Sequence, residues 1–196
     1  RPKWWVIKNG SKSYIEKITI GFKNKILLST PVKKVLRKNN KIIINSYSKK
    51  NDTHHEEEFD SVIFATHSDQ ALDMLHDSSP QEKDILGSIP YQKNEVLLHT
   101  DSSVLPRRKL AWASWNYQLD SDPGEPVVLT YNMNILQSIE CDETFCVTLN
   151  NQRFVDKDKV LKKIIYHHPL FNVEGIQAQK RKSEINGVNN TFYCGA

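Results

Sequence analysis

Three stretches of this chain hold side chains that could do chemistry. The first is Thr66-His67-Ser68-Asp69, a polar turn between an apolar strand, Val62 to Ala65, and a helical pattern with Ala71, Leu72 and Leu75. Asp69 or Ser68 is placed to cap that helix by accepting backbone N–H bonds. A buried strand that ends in such a turn is a common way to line a ligand crevice, and it also occurs as plain architecture. The second stretch is the aromatic run Trp112-Ala113-Ser114-Trp115-Asn116-Tyr117. Read as a strand, it sets Trp112, Ser114 and Asn116 on one face and Ala113, Trp115 and Tyr117 on the other. Such a surface can wall a planar ligand or fill a core. The third, Thr130-Tyr131-Asn132-Met133-Asn134, ends a strand with hydrogen-bonding groups that either knit loops or line a polar pocket.

Other chemistries find little support. There is no GxSxG, and the seven glycines never fall as GxGxxG or as a P-loop, so the chain has no standard phosphate cradle. His167-His168-Pro169 invites a metal reading. Neighbouring residues on a strand point opposite ways, however, and no carboxylate or thiol stands at ligand spacing, so no metal is expected. His54-His55-Glu56-Glu57-Glu58 reads as a solvated loop tip.

The elements that must position these groups can be read in chain order. Trp4 to Ile7 is a short apolar run, followed by a turn at Asn9-Gly10-Ser11. Ser13 opens a helix to about Ile20 with Tyr14, Ile15 and Ile18 on its apolar side, Glu16 completing a capping box, and Gly21 ending it. Strands are expected over Lys25–Ser29, Val32–Leu36, Lys41–Tyr47 and Asp60–Ala65, with a hairpin turn at Asn39-Asn40 and a polar loop over Lys49–Glu58. Helices follow over Asp69–His76 and Pro80–Leu86, the second capped by Ser79. Glu95–Thr100, Ala111–Gln118, Val127–Asn132 and Phe145–Leu149 read as strands, with a turn at Pro123-Gly124. Val160–His167 is a strand or a short helix, Val173–Ile185 a helix, and Thr191–Cys194 a last strand. The fold class is α+β: a mixed-sheet domain with helices and a β-rich companion.

Length and composition set the outer bounds. The 196 residues, 38% apolar and 26% charged, suit a globular protein of one large or two small domains. No apolar run approaches the ~18–20 residues of a membrane span. A net charge of +4 and scattered basic clusters at Lys33-Lys34, Arg107-Arg108-Lys109 and Lys180-Arg181-Lys182 read as solvated faces, so no nucleic-acid partner is expected. Three cysteines form no disulfide framework, and a reduced, cytoplasmic compartment is the default. The chain opens on Arg1 without an initiator Met and reads as processed or cut from something longer.

The phrases WVIKNGSKSY (from Trp5), LSTPVKKV (from Leu28), FDSVIFATHSDQALDML (from Phe59), YQKNEVLLHTD (from Tyr91), LPRRKLAWASWNYQL (from Leu105), LTYNMNILQSI (from Leu129) and YHHPLF (from Tyr166) resemble the flavin-containing amine-oxidase-like proteins, in their bacterial branch of NAD/FAD-binding oxidoreductases. The resemblance spans nearly the whole chain. It implies a middle fragment without the GxGxxG Rossmann segment. Residues 1–67 would be a helix and the β-rich part of the FAD domain, 68–190 the substrate domain, and 191–196 the start of the return strand. It implies FAD in the full-length parent and none on the chain alone. Val32 matches the position whose backbone meets adenine, and Ala65, Thr66 and His67 match the turn beside the cofactor. Gly195 and Ala196 begin the closing flavin segment. Lys93 stands near the family's strand lysine at the flavin N5, with Asn94 its rival. Trp112, Trp115, Tyr117, Tyr131 and Asn132 are the candidate substrate wall, for a small-molecule or acyl-chain substrate. The other reading is a non-catalytic binding or assembly module associated with a lipid-modifying enzyme.

Overall fold

The structure, a computed structural model, describes residues 5–8, 10–118, 128–150 and 154–195. Ala196, Trp4, Asn9, Val127 and the Pro123-Gly124 turn lie outside the described residues. The architecture is α+β. The chain forms two compact units: residues 1–23 with 93–167, and residues 24–92 with 168–196.

The second of these units begins with a three-stranded antiparallel meander, β1 (Val32–Lys38), β2 (Lys41–Ser48) and β3 (Thr53–Phe59). Asn39 and Asn40 make the β1–β2 hairpin turn at φ values of 52° and 60°, a left-handed pair that asparagine tolerates better than most residues. β3 replaces the polar loop expected over residues 49–58. Its charged residues hide the usual apolar alternation, yet they pair with β2 along their whole length and stay exposed on the sheet edge. Charged side chains on an edge strand discourage further pairing. β4 (Val62–Phe64) pairs in parallel with β10 (Thr191–Tyr193), joining segments far apart in sequence. The expected strand at Lys25–Ser29 is instead a 3₁₀ turn at Lys23–Lys25 followed by turn residues, with Ser29 at a φ of 55°.

Three helices complete this unit: α2 (Ser68–Met74), α3 (Pro80–Gly87) and α5 (Val173–Lys180). α3 starts as its sequence dictates. Ser79 accepts from the Glu82 N–H, Glu82 accepts from the Ser79 N–H, and Pro80 opens the first turn. The core gathers Val35, Ile42, Val62, Phe64, Ala71, Leu75, Ile85, Leu86, Ala178, Ile185 and Tyr193. The apolar faces of α2 and α3 are thus spent on the meander and β4. The sequence reading drew boundaries at 67/68 and 190/191; the compact units divide at 23/24, 92/93 and 167/168.

The first unit contains helix α1 (Ser11–Thr19), which starts at Gly10 without a side-chain cap rather than at Ser13. Its main body is a five-stranded sheet in the order β6 (Trp115–Gln118), β7 (Val128–Asn132), β8 (Cys146–Leu149), β5 (Tyr91–His99), β9 (Val160–Pro169). β9 resolves the strand-or-helix alternative as a strand. A short helix, α4 (Met133–Gln137), follows β7. The sheet register aligns Trp115 with Tyr131, Tyr131 with Val147 and Val147 with Leu98, so these four share one face. The other face carries Asn116, Thr130, Thr148, His99, Cys146 and Asn132, most of them buried.

The aromatic strand is shorter than Ala111–Gln118. Lys109–Ala111 form a 3₁₀ turn, and the Asn116 side chain closes on Ala113, accepting from its N–H at 3.1 Å and donating to its carbonyl at 2.7 Å. That pair of bonds holds Ala113 off the strand, because it occupies backbone groups a ladder would need, while the Ser114 carbonyl still accepts from the Asn132 N–H at 3.0 Å.

Candidate functional site

The candidate site is a groove in the second unit. Pro31 leads into Val32, and β1 is irregular there: Val32 pairs with Ser46 and Lys34 with Asn45, so Lys33 is the extra residue of a bulge. β4 ends at Phe64, and Ala65 and Thr66 carry the chain out of the sheet to His67, which precedes α2. Val32, Ala65 and Thr66 thereby line one open groove of about 580 Å³, with Val35, Ile44 and Met74 as apolar walls and Gln70 and Asp73 as its polar groups. Among the described residues, no lysine or arginine lines it. The groove offers apolar surface to a flat, uncharged group and offers no cation to a phosphate.

Gly195 closes on the same turn. The Cys194 N–H donates to the Phe64 carbonyl at 2.9 Å, extending the β4–β10 pairing by one residue. A Cβ built on Gly195 would lie 1.8 Å from the Thr66 carbonyl oxygen, so only glycine fits. His67 does not line the groove. Its ring stacks on Tyr91 at 4.5 Å, while the Tyr91 hydroxyl accepts from the Ser68 N–H. Gln70, rather than Ser68 or Asp69, reaches back to the His67 N–H, and Asp69 accepts from the Gln70 N–H.

A buried polar clamp joins β1, α3 and β10 in the same unit. Arg37 on β1 donates to both carboxylate oxygens of Glu82 on α3, at 2.6 and 2.9 Å, and to Asp77 at 3.0 Å. The Tyr193 hydroxyl on β10 donates to Glu82 at 2.8 Å. Burial pushes the Glu82 carboxyl up, but bonds from Arg37, the Ser79 N–H and Tyr193 outweigh it and bring its pKa to about 2. Burial and the Glu82 charge raise the Tyr193 phenol, and Glu82 raises the Arg37 guanidinium. This clamp was not named from the sequence; the Ser79-x-x-Glu82 spacing is the one local signal for a member of it.

The remaining sequence candidates belong to the first unit. Lys93 is exposed; Asn94 is buried and accepts from the Asn150 amide at 2.8 Å. Trp115, Tyr117 and Tyr131 share one sheet face, with Trp115 and Tyr131 edge to face at 5.8 Å. Trp115 is 59% and Tyr117 60% exposed. Asn132 is buried on the opposite face, where it caps α4 by accepting from the Ile135 N–H. Trp112 lies outside the strand, its indole donating to the Pro106 carbonyl at 2.8 Å. The structure therefore brings Trp115, Tyr117 and Tyr131 together and leaves Trp112 and Asn132 apart from them.

That opposite face carries a hydroxyl chain with no local sequence signal. The Asp101 N–H donates to His99 Nδ1, which leaves Nε2 as the protonated nitrogen facing Thr148 Oγ1 at 2.8 Å. Thr148 in turn meets Thr130 Oγ1 at 2.8 Å. Burial lowers the His99 pKa, only partly opposed by Asp101. Among the described residues, no group of His, Cys, Asp or Glu is placed to hold a metal ion, and no helix is long and apolar enough to cross a membrane.

No protein-family model matches the chain, and no curated protein matches it in sequence. Among solved structures it is similar to a fatty acid isomerase producing CLA, from P. acnes, at 15% identity and a TM-score of 0.56. That match covers 85% of this chain and 42% of the isomerase, so the chain spans under half the length of that neighbour. Two structures of the rebeccamycin biosynthetic enzyme RebC also match. The set of native and K252c-bound RebC-10x aligns at 10% identity and a TM-score of 0.41, and the substrate-free form at 8% and 0.42. Each covers 85% of this chain and 31% of RebC.

Proposed function

We propose that this chain is part of a FAD-dependent, amine-oxidase-like oxidoreductase, supplying its substrate-type domain and a β-rich piece of its cofactor domain. The observation behind the reading is the meeting of Val32, Ala65 and Thr66 in one apolar groove, with Gly195 seated against Thr66. Val32, the Ala65–Thr66 pair and Gly195 lie far apart in sequence and are among the residues the family resemblance assigns to the cofactor.

The groove suits the adenine end of FAD. Its walls are apolar, and the bulge at Lys33 breaks the regular β1–β2 pairing beside Val32. It has no counterpart for the pyrophosphate, which needs N–H donors or cations that these residues do not supply. When bound, the flavin supplies hydride acceptance from a substrate C–H. This chain's own residues would bind and orient. Val32, Ala65 and Thr66 hold the heterocycle, and His67, stacked on Tyr91, fixes the turn. Gly195 and Ala196 would hold the closing segment, and Lys93 or Asn94 would stand near the reacting centre.

For the substrate we favour an acyl chain. Trp115, Tyr117 and Tyr131 give an exposed apolar sheet face, and the isomerase of similar fold acts on a fatty acid; Trp112 and Asn132, also candidates by sequence, lie apart from that face. The cofactor half is tested by titrating the chain with adenosine, ADP and FAD while following backbone amide resonances. The expected result is that all three move the signals of Val32, Ala65 and Thr66, and that Val32→Trp abolishes the shifts. Shifts confined to other residues would sink the assignment and favour a non-catalytic binding module.

A further inference from the structure

One element takes no part in the proposed site. Helix α1 buries none of its residues. Tyr14, Ile15 and Ile18 fall on one face of it, at 42%, 48% and 63% exposure. The 3.6-residue period sets Lys12 on one flank of that stripe and Lys17 on the other. Residues on either side continue the pattern: Val6 and Ile7 before the helix, Ile20 and Phe22 after it, all exposed. Residues 5–23 hold four lysines, Lys8, Lys12, Lys17 and Lys23, against the single acid Glu16, in a chain whose whole net charge is +4.

We infer that this segment is a peripheral docking surface for an anionic phospholipid bilayer. An apolar stripe flanked by lysines lets the stripe enter the acyl boundary while the ammonium groups reach the headgroups. Tyr14 and Phe22 add rings of the kind that settle at that depth. Charge complementarity selects this occupant. A protein groove reads a helix through its apolar anchors and has no need of cations on both flanks. The inference uses no residue of the groove.

The test is co-sedimentation of the full chain with vesicles of phosphatidylcholine alone and of phosphatidylcholine mixed with phosphatidylglycerol. The chain is expected to sediment with the mixed vesicles, to stay in solution with the neutral ones, and to be released by salt. Lys12→Gln with Lys17→Gln should weaken partitioning about thirtyfold, since each lysine near such a surface contributes about 1 kcal/mol. Ile15→Ser with Ile18→Ser should abolish it and leave the urea midpoint unchanged.

Four results would overturn the inference. These are no sedimentation with the mixed vesicles, equal sedimentation with both kinds, indifference to the isoleucine changes, and a lowered urea midpoint in the serine variant. The last would mean the stripe is already packed. A dimer that Ile18→Ser returns to monomer, with no vesicle binding, would assign the stripe to a second copy of the chain instead.

Discussion

Gly195 and Thr66 touch so closely that no side chain fits between them: a Cβ at residue 195 would sit 1.8 Å from the Thr66 carbonyl oxygen and 2.7 Å from its carbonyl carbon. Both contacts are with backbone, which cannot rotate away. Gly195→Ala must therefore pull the end of β10 off β4. The expected cost is about 1–3 kcal/mol, read as a lower urea midpoint, from overpacking of this kind. An unchanged midpoint would show that the contact relaxes at no cost.

The clamp on Glu82 should be asymmetric to mutation. Glu82→Gln puts a weaker acceptor beside the buried Arg37 guanidinium and leaves Asp77 as its ion pair; removing a member of a buried pair costs up to about 3–5 kcal/mol. Tyr193→Phe removes one neutral donor and should cost about 1–2 kcal/mol. Equilibrium unfolding of both variants checks the order; a larger loss for the tyrosine change would contradict it. In acid the sign is fixed by the lowered pKa. The Glu82 contribution is complete above about 4.5, its ordinary value, and fades as pH falls toward about 2.

His99 gives the opposite end of the pH scale. It is buried and neutral, with Nδ1 already accepting from the Asp101 N–H. Its folded pKa lies below the ordinary 6.5, so the unfolded chain takes up a proton that the folded one refuses. Stability from this source is complete above pH 6.5 and falls as pH drops below it, by at most about 1.4 kcal/mol per unit. The difference between wild type and His99→Gln, followed from pH 7.5 to 5 by urea unfolding, should therefore shrink as pH falls. A constant difference would remove His99 as its source.

The two tryptophans of the aromatic run should respond differently. Trp112→Ala gives up the indole bond to Pro106 and the ring beneath the Lys109 ammonium, and should lower stability by about 1–2 kcal/mol. Trp115→Ala exposes little that was not exposed before. Its expected stability change is within about 1 kcal/mol. The same change should weaken binding of a fluorescent fatty acid, followed by titration. Equal unfolding losses, or unaltered fatty acid binding by the Trp115 variant, would remove the sheet face from the proposal.

What the sequence disclosed followed the range of the interactions involved. The Asn39-Asn40 hairpin and the start of α3 at Ser79-Pro80 were legible because their signals lie within four residues. The strand Val62–Phe64 was legible because its apolar run is short and bounded by polar residues, two of its three side chains being buried. The strand over Thr53–Phe59 was not, since its stability comes from pairing with β2 and its side chains serve solvent. Trp112 was misplaced on a strand because the bonds from Asn116 that end the strand leave no compositional mark. The resemblance assigned Val32, Ala65 and Thr66 to a cofactor; that they share one groove is a tertiary fact. The clamp of Arg37, Glu82 and Tyr193 and the chain of His99, Thr148 and Thr130 join positions tens of residues apart, which periodicity and capping rules do not reach.

The threading of the second unit bears on the order in which it can form. Its core needs Ala178, Ile185 and Tyr193 as well as Val35 and Phe64, and 75 residues of the other unit, 93–167, lie between these two halves. A ribosome emits the meander, β4, α2 and α3 long before it emits their closing partners. Until Tyr193 emerges, Glu82 lacks one of its donors and the Val62–Phe64 edge has no parallel neighbour. Contacts of such wide sequence separation form slowly, and half-built units expose apolar surface meanwhile. This unit is thus where nascent chains should most depend on chaperone protection.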